Sequence, residues 1–264
     1  MKIKCFFATL FFFGLLVFHA MGETFTVATA NLWHYPKDAK NRRLALKREL
    51  SHHTLDLVAF QEVWHWMGVR SLFREFLSLT GQRGYFKQTN FLGVMFEGLA
   101  FSSRNPIQNF FSIELPFSRV FSRRFLIGGR WTAPGGNPIW VLNTHLSPYE
   151  EETDRRRTQI QFIAKWIKTH LKNQDLLLMG DFNESTHQEI FSPLKNIGLA
   201  SSFPIGNCTY CDSNPYISLN QDRRYDYIWS RLKNYGLESS GYFLKETPVS
   251  DHYGVQATFK RKSL

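Results

Sequence analysis

The chain is short of cysteine, short of acidic side chains relative to basic ones, and without a long apolar run beyond its first segment. Among 264 residues only Cys5, Cys208 and Cys211 are cysteines. A structural zinc site would need a second ligand pair at suitable spacing, and the sequence offers none. Cys208-Thr209-Tyr210-Cys211 lies in a turn-rich stretch rather than at the opening of a helix, which argues against a thioredoxin-like redox role. In an oxidising compartment the pair reads as a local disulfide pinning a loop. No Pro/Gly/Ser-rich linker, internal repeat or low-complexity tract interrupts the chain, so it reads as one domain large enough to bury a sizeable core.

Acidic residues number 22 against 32 Lys and Arg, giving a formal charge of +10. Residues 1–22 stand apart. Lys2 and Lys4 precede an apolar run from Cys5 to Phe18, and Ala20-Met21-Gly22 offers the small-x-small pattern of a signal-peptidase site. The run is too short to span a bilayer comfortably, no later segment looks transmembrane, and no cysteine follows closely enough for a lipoprotein anchor. The expectation is a signal peptide over 1–22, a domain over 23–264, and a secreted or periplasmic product. Removing the signal takes Lys2 and Lys4 and no acidic residue, so +10 falls by two to +8. That charge suits an anionic partner, nucleic acid or an acidic membrane surface, and equally suits solubility alone.

Strand-like runs recur at Phe25–Asn31, Leu55–Glu62, Leu99–Ser103, Ile139–His145, Leu176–Gly180, Tyr225–Trp229 and Gly254–Phe259. Val69, Leu72, Phe73, Phe76 and Leu77 form one helical stripe, and Ile160, Ile163, Ile167 and Leu171 a second. Both read as core-facing. The middle, Phe91 to Trp131, is less regular. There Phe110, Phe111, Phe117, Phe121 and Phe125 interleave with Arg119, Arg123, Arg124 and Arg130, a mixture that suits base stacking, a lipid interface, or core strands with solvated arginines.

Four runs reach a polar residue of catalytic type: Asn31, Glu62, His145 and Asp181. Alone, each has an ordinary reading as turn former, solvated strand end, satisfied histidine or cap. Together, and with Asp226 and Asp251-His252, they suggest one rim of a sheet, where open α/β sheets commonly place ligands.

The segments Ala30-Asn31-Leu32-Trp33, Phe60-Gln61-Glu62-Val63, Gly98 to Ser103, Asn143-Thr144-His145-Leu146, Gly180-Asp181-Phe182-Asn183, Arg224 to Ile228 and Ser250-Asp251-His252-Tyr253 resemble, in order, the motifs of the endonuclease/exonuclease/phosphatase superfamily of magnesium-dependent phosphodiesterases. The resemblance spans nearly all of 23–264. It implies a four-layer α/β sandwich, two packed mixed β-sheets flanked by helices. It implies Glu62 as principal Mg²⁺ ligand with Asn31 and Asp251 completing or supporting the metal shell, Mn²⁺ being a possible substitute. Asn183 would hold the phosphate, and Asp181 would orient or deprotonate the attacking water. His252, aligned by Asp226, would be the base and His145 the acid or phosphate donor, with the choice of base between His252 and Asp181 open. Glu97 sits where nuclease members can carry a carboxylate that orients the first histidine. His34, His52, His53, His65, His170 and His187 read as surface residues, His65 also as lining the cleft beside Glu62.

The superfamily cuts several phosphoesters, so the fold does not name the substrate. Gln61-Glu62-Val63-Trp64, Thr144-His145-Leu146 with the charged helix start from Asp154 to Gln161, and Asn214-Pro215-Tyr216 ahead of Arg224-Tyr225-Asp226-Tyr227 look most like the neutral sphingomyelinase branch. The expectation is phospholipase C-type cleavage of a phospholipid headgroup by a monomer with no obligate protein partner. A secreted nuclease is the alternative, followed by a phosphomonoesterase and a non-catalytic binding subunit. The intact polar set argues against the last.

Overall fold

The computed structural model describes residues 24–35, 37–66, 71–92, 95–118, 123–204, 207–217 and 221–263. The segment read as a signal peptide lies outside them, as do Val69, Arg119 and Phe121. Along the chain run β1 (Thr24–Asn31), α1 (Ala39–Leu50), β2 (Leu57–Trp66), α2 (Leu72–Thr80), β3 (Arg83–Leu92) and β4 (Met95–Ser103). Then follow β5 (Ile107–Glu114), β6 (Phe125–Thr132), β7 (Pro138–His145), α3 (Thr153–His170) and β8 (Leu176–Asp181). α4 (Ser192–Asn196), β9 (Ala200–Ser201), β10 (Asp226–Arg231), β11 (Tyr235–Phe243) and β12 (Gly254–Arg261) complete the described strands and α-helices, and short 3-10 turns at Glu150–Glu152 and Gln188–Phe191 precede α3 and α4.

The strands form two six-stranded sheets, in the orders β11-β12-β1-β2-β4-β3 and β5-β6-β7-β8-β10-β9. Both are mixed, and each has one parallel pair, β1 with β2 and β7 with β8. Phe25, Val27, Ala59, Phe101, Ile127, Val141, Met179, Ile228 and Val255 fill the space between the sheets. The opposite face of the first sheet packs under α1 and α2 through Ala45, Leu46, Phe73 and Phe76, and that of the second under α3 and α4 through Ile160, Ile163, Ile167 and Leu194. Helices, sheet, sheet and helices make the expected α/β sandwich. Central strands covered on both faces read as continuous apolar runs, and every residue of β8, Leu-Leu-Leu-Met-Gly-Asp, is buried.

Local chemistry sets the helix ends. Ser71 caps α2 by accepting from Arg74 N, and Gly81 closes it at φ +66°. Among the described residues no helix is long and apolar enough to cross a membrane.

Three sequence expectations change. β2 runs on past Glu62 to Trp66, so Glu62 lies within a strand rather than at its end. The middle segment is regular, forming parts of β3 to β6: Phe125 is buried, Phe110 and Phe111 pack against the cores, and Phe117 is exposed. α1 was not expected. Its buried face is Arg42, Ala45, Leu46 and Glu49, two charges among two apolar residues, which masks the helical stripe.

Candidate active site

The parallel pairs place the site. The β1–β2 pairing ends with Asn31 opposite Gln61, which sets Glu62 next to Asn31 at one rim, while β7 and β8 end together on His145 and Asp181, which stand opposite each other in register. The two rims face each other across the sheet interface. Asn31 Nδ2 donates to Glu62 Oε1 at 3.1 Å within its own sheet and to Asp181 Oδ2 at 2.9 Å in the other. Below them a buried polar clamp fixes the sheets: Gln61 Nε2 donates to Asn143 Oδ1 at 2.7 Å, and Asn143 Nδ2 donates to Phe60 O and Ala100 O.

Glu62 reaches the rim through a bulge. The β2–β4 register shifts between Phe60 and Val63, and Glu62 adopts φ +50°. Phe60 and Val63 both stay in the cluster under α1 and α2, so Glu62 is the extra residue expelled from the ladder. Trp33 (φ +48°) and Asn183 (φ +50°) are left-handed too, each at about 1–3 kcal/mol of backbone strain, the kind held in place at functional sites. Gly180 is required before Asp181, because a Cβ there would stand 2.1 Å from Thr144 O.

Two residues that the sequence reading passed over hold this side. His34 was expected on the surface. Instead both its backbone N (2.9 Å) and its Nδ1 (2.5 Å) meet Glu62 Oε2, and its ring is partly exposed. The hydrogen bond to Glu62 raises the His34 pKa to about 9. Burial pushes the Glu62 carboxyl up, but His34's bond and charge outweigh it and hold Glu62 well below the usual carboxylate range. Arg42, fully buried, donates to Leu32 O, Trp33 O, Tyr35 O, Lys37 O and Val249 O, and so ties the loop after Asn31 to the loop before Asp251. Its spacing with Ala45, Leu46 and Glu49 was the available signal. Of the other histidines, His53 bonds Gln256, His65 packs edge-on against Phe86, and His170 stacks on Trp166.

On the other side, His252 Nδ1 lies 2.9 Å from Asp226 Oδ2 and 3.8 Å from Asp181 Oδ2, and His145 Nε2 lies 3.6 Å from the same Asp181 oxygen. Asp181 Oδ1 accepts from Asn183 N at 2.9 Å, and Asn183 Nδ2 donates to Leu146 O. Burial, with Asp226 adding, pushes the Asp181 carboxyl up to about 7 against the opposing charge of His252. Burial opposes a charge on His252, yet Asp226 and Asp181 together keep it well above 6.5. Burial and then the Arg124 charge press His145 well below 6.5. The surroundings therefore push the two histidines in opposite directions, His252 toward the protonated form and His145 toward the neutral one.

The donor set fits a hard divalent cation. Burial raises the pKa of Glu97 and Asp251, and Glu62's charge adds to both, with His34 and Arg124 opposing at Glu97 and His252 and Arg42 at Asp251. Carboxylates that raise one another in this way are relieved by an oxygen-liganded cation. Glu62, Asp251 and Asn31 would hold it. Among the described residues, the buried acidic and histidine side chains whose ligand atoms lie close enough to share an ion are Asp181, Asp226 and His252, and Asp226 Oδ1 there has no hydrogen-bond partner. Cys208, Cys211 and Asp222 also cluster, but the cysteines are joined as a disulfide, as expected, and so offer no thiolates.

Fold and rim together define an α/β sandwich with a metal-capable acid–base site between its sheets. The chain belongs to the Endonuclease/Exonuclease/phosphatase family, whose profile matches residues 28–252. Members of that family are generally divalent-metal-dependent hydrolases acting on phosphodiester bonds. Similar solved structures include an endonuclease/exonuclease/phosphatase from Beutenbergia cavernae DSM 12333, with TM-score 0.73, 19% identity, and coverage of 91% of this chain and 72% of that one. The human Nocturnin catalytic domain with bound sulfate anion has TM-score 0.71, 17% identity, and coverage of 91% and 95%. D. rerio TDP2 complexed with single strand DNA product has TM-score 0.69, 16% identity, and coverage of 90% and 99%. At these identities the likeness is one of fold. No curated protein sequence matches the chain significantly.

Proposed function

We propose that this protein is an exported, divalent-cation-dependent phosphodiester hydrolase of the phospholipase C type, acting on a phospholipid headgroup. The observation that carries the chemistry is the Asn31 side chain bonded at once to Glu62 and Asp181, which sets a cation-holding carboxylate beside a proton-accepting one. When bound, the cation, Mg²⁺ or Mn²⁺, polarises the phosphoryl oxygen and stabilises the departing one. The chain's own residues do the rest. Asp181, with its carboxyl near 7, takes a proton from the attacking water at neutral pH. His252, held by Asp226 through Nδ1, has Nε2 as its remaining ring nitrogen and, as a cation, gives the Nε2 proton to the leaving oxygen, while Asp181 keeps the one taken from water. Neutral His145 donates a hydrogen bond, and Asn183 holds a phosphate oxygen.

Exposed aromatics at the same end support the lipid substrate. Tyr35 follows Asn31, Tyr149 follows His145, and Phe117 lies in the β5–β6 connection, with 56%, 49% and 59% of their surfaces exposed. Aromatic side chains beside basic ones suit a membrane interface. A nuclease is the second reading, favoured by the charge of +10 on the whole chain and by the likeness in fold to TDP2 bound to single strand DNA product. Purified protein with Mg²⁺ should release phosphocholine from sphingomyelin or phosphatidylcholine vesicles and float with them. No binding to zwitterionic vesicles, together with salt-sensitive nicking of plasmid DNA, would replace the lipid reading with the nuclease.

A further inference from the structure

Asp226 and His252 come from different sheets. Asp226 opens β10 in the second sheet, and His252 precedes β12 in the first. No strand ladder sets their register, yet a productive pair needs sub-ångström placement.

The residues enclosed by the Cys208–Cys211 disulfide span that gap. Thr209 is fully buried, and its Oγ1 accepts from Tyr225 N at 3.0 Å and Asp226 N at 3.1 Å on the β10 side. Its carbonyl accepts from Tyr253 N at 2.7 Å on the β12 side, while its own N–H donates to Arg223 O at 2.8 Å. One residue thus bonds both carriers of the pair. Tyr210 sets its ring against the His252 ring, 5.1 Å between centroids at 67°, and pairs with Arg223 through a short bridge. Just past the disulfide, Asn214 N donates to Cys211 O, and Asn214 Nδ2 donates to Ser250 O at 2.9 Å. Ser250 Oγ in turn accepts from His252 N and donates to Asp251 Oδ1. His252 is therefore braced from its ring and from the residue after it by the disulfide-closed turn, and from the residue two before it by Asn214, which is itself bonded to Cys211 O.

We infer that the Cys208–Cys211 turn is the positioning element of the Asp226–His252 pair, with Thr209 as the residue that registers the two sheets at the reacting atoms. A bridge closing so short a loop adds little to global stability, so its effect is local. The inference rests on the hydrolase reading above, and its test separates the two.

The test compares Thr209→Val, Thr209→Ser and the double variant Cys208→Ala/Cys211→Ala with wild type, reading kcat and KM on a soluble phosphodiester, the thermal melt, and the downfield proton resonance of the His252 Nδ1–H···Asp226 bond. Thr209→Val and the double variant should lower kcat by roughly tenfold to a hundredfold, the scale of a misplacement near 1 Å, with KM changed less than about twofold. The downfield resonance should broaden or vanish in both. Thr209→Ser, which keeps the hydroxyl, should restore kcat and resonance. Unchanged kcat, a loss confined to KM, or Thr209→Ser no better than Thr209→Val would overturn the inference. A double variant that fails to fold would assign the disulfide a global role and overturn it too. If wild type hydrolyses no phosphodiester while the resonance still responds to these substitutions, the hydrolase reading fails and the positioning role stands.

Discussion

The Asn31 amide donates across the sheet interface to Asp181 Oδ2 at 2.9 Å, joining residues 150 apart in sequence. Its second proton goes to Glu62, and its Oδ1 accepts from Trp33 N. The carboxylate that would hold a cation and the one that would take a proton are thus fixed to each other by a single side chain.

Replacing that side chain should damage both functions together. Asn31→Leu keeps the approximate volume but removes every donor. It should lower kcat/KM by about a hundredfold or more and raise the half-saturating Mg²⁺ concentration, since positioned groups lose this much when freed. A drop in kcat with unchanged metal affinity would show that the bridge to Glu62 is dispensable.

Arg42 should matter mainly for stability. Each acceptor stranded in the interior costs about 1–3 kcal/mol, and Arg42 serves five carbonyls. Arg42→Leu should therefore cost more than about 3 kcal/mol, roughly a 6 °C fall in Tm or greater for a domain of this size. Arg42→Lys should recover only part, because an ammonium cannot present the guanidinium's planar array of donors. A melt within a degree or two of wild type would contradict this role.

The buried Asp181 carboxyl predicts a direction for pH dependence in chelator-treated protein. Its folded pKa, about 7, stands above the 3.8 of an ordinary aspartate, so the folded state holds the proton more tightly than the unfolded one. Stability should then fall as pH rises from about 4 through 7 and level off above. The raised pKa of His252 acts in the same sense, its contribution present below about 6.5 and lost as pH climbs through the folded value. Melts in EDTA should drop between pH 5 and pH 8, and Asp181→Asn should flatten the curve. An equal slope in the variant would place the proton elsewhere.

His145→Ala and His252→Ala should each cost roughly 10²-fold or more in kcat, the scale of a lost hydrogen-bond donor to developing charge for the first and of positioned proton transfer for the second. The double variant should lose less than the product, as residues acting as a unit are non-additive. A wild-type rate in either single variant would make that histidine structural.

Much of this was legible in sequence because it depended on local pattern. β1, β7 and β8 announce themselves as apolar runs that end on Asn31, His145 and Asp181, and the Ile160, Ile163 and Ile167 stripe marks α3. What stayed hidden depends on distant partners. α1 buries Arg42 and Glu49, so polarity concealed its inner face. The bulge at Glu62 leaves no mark in the string Phe60 to Val63, since the extra residue exists only relative to β4. His34 looked like a lone histidine because its partner is 28 residues away. The opposite shifts of the two histidines follow from their burial, with Arg124 beside His145 and Asp226 beside His252, surroundings that only folding creates.

The central claim is that this rim hydrolyses a phosphodiester with a divalent cation held at Glu62. The most direct measurement is turnover of a soluble phosphodiester, alongside the metal-induced shift in melting temperature, for wild type and Glu62→Gln in EDTA and across a Mg²⁺ titration. Wild type should be inactive in EDTA, recover with Mg²⁺ or Mn²⁺, and melt at a higher temperature with metal bound. Glu62→Gln should need far more metal for both effects, and its metal-free melt should also fall, because the variant loses the charged partner of His34. Full turnover by wild type in excess chelator, or a Glu62→Gln variant with the wild-type metal requirement, would contradict the account.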